Sequence, residues 1–151
     1  MARTAPPAAY DTDFAAWSEQ QAEAIRERLW DAVDVENVAE EIASLGRSDK
    51  NAVRSRVRII LQHLLKLRYQ PESATRSWRG TIHEQAAQLA DVLADSPSLR
   101  RVLDERLTKA YAQARRGAAN ETGLPLATFP ETLPSELEAE LRAALDEAAH
   151  P

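Results

Sequence analysis

Between Val35 and Tyr69 the apolar residues hold one helical phase for about ten turns, and few folds can accommodate such a segment. Val35, Ile42, Val53, Ile60 and Leu64 follow one another at steps of 7, 11, 7 and 4 residues. At about 100° per residue those steps keep all five in a narrow arc. The 11-residue step spans Gly46 and still preserves azimuth to within about 20°, which a loop has no reason to do. The spacing therefore predicts one helix from Asp34 to Tyr69, continuous or gently bent. Gly46 lies inside it at a cost of about 1 kcal/mol relative to alanine. Asp34 is the expected cap, and Pro71 follows the end.

The remaining helices are predicted from the same kind of signal. Asp11 and Thr12 are expected to cap a first helix, with Phe14, Trp17, Gln21, Ile25 and Leu29 inward, that ends near Trp30. A helix over 75–95 carries Trp78, Ile82, Leu89 and Leu93 on one side. Ser96 and Pro97 read as a cap and first helical position, and the next helix stops at Gly123. Three prolines make 124–134 an extended connection, expected to pack Leu126 and Phe129 against the body. A last helix then uses Leu137, Leu141, Leu145 and Ala148. With only 4 glycines and no sustained strand-like alternation, the expected fold is all-α. It is read as a compact bundle of five to six helices around one long central helix. A flexible tail over 1–10 precedes a single domain over 11–151.

Composition narrows the chemistry. Without cysteine there is no disulfide, thiolate nucleophile or sulfur-ligated zinc site. The longest run of large aliphatics is Ile59, Ile60 and Leu61, so neither a membrane span nor a secretory leader is expected, and a cytoplasmic location is. The net charge of −5 is unevenly spread: 47–79 holds nine Lys or Arg against Asp49 and Glu72, or +7, and the rest carries −12. Such a basic segment either neutralises acids within the chain or offers a patch to an anionic partner.

Three sets of residues are candidates for a site. Asp49, Arg56 and His63, spaced by sevens on the flank of the apolar arc, form a polar row that sets helix register or lines a pocket. Arg47, Arg54 and Arg58 share an azimuth with Glu36 and Glu40. That acid-then-base stripe suits an antiparallel second copy, hence a homodimer, and its arginines are also the candidates for binding an anion or nucleic acid. Glu40, Glu41, His63 and His83 have metal-ligand chemistry, but neither Glu-x-x-His nor His-Glu-x-x-His spacing is present. On a continuous helix Glu40 and His63 stand about 35 Å apart and cannot share an ion. No motif defines a reaction, no cofactor is expected, and the enzyme question stays open with a non-enzymatic role ranked first.

Several short motifs carry a family likeness: Asp13-Phe14-Ala15-Ala16-Trp17, Glu36-Asn37-Val38-Ala39-Glu40-Glu41-Ile42, His63-Leu64-Leu65-Lys66, Arg76-Ser77-Trp78-Arg79, Ser96-Pro97-Ser98-Leu99 and Glu121-Thr122-Gly123-Leu124. In this order, and over nearly all of 10–134, the chain resembles the bacterial proteins grouped as domain of unknown function number twenty-nine. The resemblance implies a compact, wholly helical fold and carries over no catalytic residue. Leu67 departs from it, since the family more often has an aromatic after the lysine that Lys66 matches. The expected role is a protein-interaction or self-assembly module, with a homodimer or another protein as partner. Nucleic-acid or anion binding through 47–79 is the alternative, and a metal-assisted hydrolase using Glu and His the second.

Overall fold

A computed structural model describes residues 8–151. Among the described residues five α-helices run in chain order: α1 (Phe14–Arg26), α2 (Val35–Tyr69), α3 (Arg76–Asp95), α4 (Leu99–Thr122) and α5 (Ser135–Ala149). Single turns of 3-10 helix occupy Trp30–Ala32, Pro71–Ser73 and Leu126–Thr128, and no strand occurs among the described residues. The fold is all-α, as the sequence predicts. The long helix is unbroken through Gly46, where an added Cβ would meet nothing within 4 Å. Backbone contacts divide the chain into two compact units, 1–47 and 48–151, with the division inside α2.

In the first unit α1 starts one residue later than Thr12 allows, because Asp13 is the cap: its Oδ1 accepts from the Ala16 amide at 3.0 Å. The helix also stops well before Trp30. Arg28 takes φ 57°, a left-handed backbone that no α-helix continues through. The residues from Leu29 to Val33 then turn the chain, and the Gln21 side chain holds that turn by accepting from the Asp34 amide at 2.6 Å. Tyr10, Phe14 and Trp17 form an aromatic cluster with ring centroids 4.8–5.9 Å apart. The tail expected over 1–10 lies partly outside the described residues; within them, the Ala8 amide donates to Gln20 and the Tyr10 hydroxyl to Glu41.

The second unit is built on the buried side of 53–65. Val53, Val57, Ile60, Leu61, Leu64 and Leu65 enter one apolar core with α3 (Leu89, Leu93), α4 (Leu103, Leu107, Tyr111) and α5 (Leu137, Leu141). Pro97 does not open α4 as expected: the chain makes a turn first, Leu99 is the first helical residue, and Gly123 ends the helix in the left-handed conformation that glycine adopts most easily. Pro134 stands at the cap position of α5, without a side-chain cap bond. The connection over 124–134 is fastened to α4. Tyr111 donates to the Pro130 carbonyl at 2.6 Å, and Arg115 donates to the carbonyls of Phe129 and Leu126. Phe129 is buried as expected and packs edge-on against Tyr69, whereas Leu126 is 42% exposed because only its carbonyl is used.

Candidate functional site

In the second unit, two helical stripes face each other across a polar groove. On α2, Arg54, Arg58 and Gln62 recur every four residues and share one face; on α4, Gln113, Arg116, Gly117 and Asn120 do the same at spacings of three and four. Arg54, Ser55, Arg58, Gln113, Arg116 and Asn120 line an open pocket of about 480 Å³ between them. A chain of hydrogen bonds leads away from it. Arg58 donates to Gln62 Oε1 at 3.1 Å, Gln62 donates to Glu121 Oε1 at 2.7 Å, and Lys66 Nζ donates to Glu121 Oε2 at 2.7 Å. The Lys66 ammonium also lies 4.2 Å from the centre of the Trp78 ring, a cation–π contact.

Burial makes this chain of bonds obligatory, since a polar group withdrawn from water costs about 1–3 kcal/mol when left unpaired. Among the described residues Gln62 and Lys66 are the two buried polar side chains, at 5% and 6% exposure. Gly117 lets Gln62 in: a Cβ there would stand 2.1 Å from Gln62 Oε1. Both carboxylate oxygens of Glu121 are consequently engaged away from the arginines. Arg54 and Arg116 make no hydrogen bond or ion pair among the described residues, and Arg58 makes none with a carboxylate.

The polar row Asp49, Arg56 and His63 has no hydrogen bond among its own members. Asp49 is exposed. Arg56 reaches α3, where it donates to Gln85 Oε1 at 3.1 Å and to Gln88, which in turn donates to Glu84; its Nε is buried without a partner. His63 turns its Nδ1 to the Ile59 carbonyl of its own helix at 3.0 Å. The basic stripe is divided in the same way. Arg54 and Arg58 line the groove, while Arg47 is ion-paired with Glu40. Spacing along α2 cannot point to Arg116, Gln113 and Glu121, because they come from another helix. Only the mid-helix Gly117, a costly choice in an alanine-rich segment, signals a close approach there.

Among the described residues no group of three or more His, Asp or Glu side chains is arranged to hold a metal ion. Of the candidate ligands, Glu40 faces Arg47, Glu41 accepts from Tyr10, and His63 serves its own backbone. His83 lines a different pocket of about 400 Å³ with Leu64, Leu67 and the ion pair between Arg68 and Glu140, 2.7 Å apart. The Tyr10 phenol is raised by its hydrogen bond to the Glu41 carboxylate, and burial raises that of Tyr111. Asp34 is held below its usual range, chiefly by the Asn37 side chain.

The first unit presents a different surface. Val35, Ile42 and Leu45 are 66%, 66% and 68% exposed, and Leu29 and Trp30 in the preceding turn are exposed as well. Val35 and Ile42 therefore do not continue the buried arc as their phase predicts. Periodicity fixes the direction of a side chain but not whether anything covers it. Among the described residues no helix is long and apolar enough to cross a membrane.

In comparison with known proteins, the family model described as "Domain of unknown function DUF29" matches residues 9–145. No curated protein and no solved structure matches the chain.

Proposed function

Because the chain belongs to the DUF29 family, whose description assigns no activity to transfer, we propose from its own geometry that it is a self-associating interaction module whose contact face is the first turns of α2. The observation behind this reading is the exposure of Val35, Ile42 and Leu45 on one side of a helix. Exposed apolar side chains aligned on one face, rather than scattered singly, are what an interaction surface presents. A second copy is the occupant it fits. Antiparallel packing about a twofold axis level with Glu40 sets Val35 opposite Leu45 of the other copy, and Val38 opposite its Ile42, so the face complements itself.

The acid-then-base stripe is not part of this contact, since Glu40 and Arg47 already neutralise each other and lie on another side of α2. Covering the three exposed side chains in each copy contributes roughly 6–12 kcal/mol gross, against an association cost of about 4–15 kcal/mol. The dimer is accordingly weak and depends on concentration. Sedimentation velocity from about 1 μM to about 1 mM should show the monomer giving way to a dimer. The double variant Ile42→Glu, Leu45→Glu should keep its helical circular dichroism and stay monomeric. A wild-type chain that is monomeric across the range overturns the reading.

A further inference from the structure

We infer that the groove between α2 and α4 is a binding site for a small oligophosphate, gripped by Arg54, Arg58 and Arg116. Three guanidinium groups line one pocket, and none is matched to a carboxylate within the described residues. Glu121, to which the hydrogen-bond chain from Arg58 leads, has both oxygens committed to Gln62 and Lys66. Three clustered cations without a counter-charge repel one another, and a bound polyanion is what relieves that repulsion. Guanidinium suits phosphate in particular because its forked N–H groups engage two oxygens at once.

The rest of the lining sharpens the class of ligand. Gln113, Asn120 and Ser55 add neutral donors beside the arginines, as partial charges are needed around an extended anion. At about 480 Å³ the pocket exceeds the space one phosphate takes, so two or three linked phosphoryl groups fill it better. No aromatic side chain lines it, so it offers no platform on which a base could stack, and the phosphates themselves are the recognised part. Arg58 is held by Gln62, which is itself locked between Glu121 and the backbone at Gly117, so one of the three cations is oriented before any ligand arrives.

This inference is independent of self-association, which uses the first unit. Its test is calorimetric titration of the full chain with inorganic tripolyphosphate at low and at physiological salt. One-to-one binding that weakens as salt rises is expected. Arg54→Gln and Arg116→Gln should each lower affinity at least tenfold, while Arg101→Gln, which removes an exposed cation elsewhere in the same unit, should leave it within twofold. Circular dichroism of each variant checks that the fold is kept. No binding by the wild-type chain, or unchanged affinity in the Arg54→Gln, Arg116→Gln double variant, overturns the site. A single-stranded RNA oligonucleotide bound more than tenfold tighter than tripolyphosphate overturns the small-ligand assignment in favour of a nucleic-acid backbone.

Discussion

Gly117 decides how the polar strip of the second unit is put together. Alanine there would gain about 1 kcal/mol of helix propensity. Its Cβ would also stand 2.1 Å from Gln62 Oε1, in a side chain buried and bonded at both ends. Displacing Gln62 gives up hydrogen bonds to charged groups, worth about 1.5–3 kcal/mol each. The loss exceeds the gain, so Gly117→Ala should destabilise the protein by about 2–5 kcal/mol in a denaturant titration; an unchanged or raised midpoint would mean that Gln62 repacks freely. Little at this scale is legible in the chain of letters. Lys66 falls among leucines in a motif and its burial beneath Trp78 has no local signature, because it depends on Glu121 arriving from α4.

The elements are far more legible, since each rests on local physics. An 11-residue step through Gly46 identifies α2 as one helix, and the structure continues it from Val35 to Tyr69. Gly123 ends α4 because a positive φ is needed there. Where starts differ, a neighbouring residue competes: Asp13 is placed to receive the Ala16 amide, so it caps α1 in place of Asp11 and Thr12. Gly46 supplies the prediction at this scale. With nothing within 4 Å of an added Cβ, Gly46→Ala has no steric penalty and should stabilise the protein by about 1 kcal/mol. Thermal unfolding checks this, and a lowered midpoint would show that the helix uses the glycine to bend.

At the scale of the whole molecule, the two units differ in how much they bury. Trp17 and Ala24 are the buried apolar residues of the first among those described, whereas the second holds an apolar core drawn from α2, α3, α4 and α5. Resistance to local opening follows the density of buried contacts. Hydrogen exchange should therefore be faster at amides of 35–45 than of 53–65 in dilute solution, along one unbroken helix, with protection of 35–45 rising as concentration grows. Equal protection of both halves under dilution would contradict this. The unequal burial is invisible to periodicity, which assigns Ile42 and Ile60 the same direction and cannot tell that one meets solvent. The shielding of Lys66 reaches further still. The chain has three lysines, of which Lys50 and Lys109 are exposed and Lys66 is sealed, and the described part of the first unit has none. Amine-directed dyes and crosslinkers that react with lysines of the native protein therefore reach those of the larger unit at Lys50 and Lys109, and a label that does reach Lys66 reports that its cover, Glu121 on α4 and Trp78 on α3, has opened.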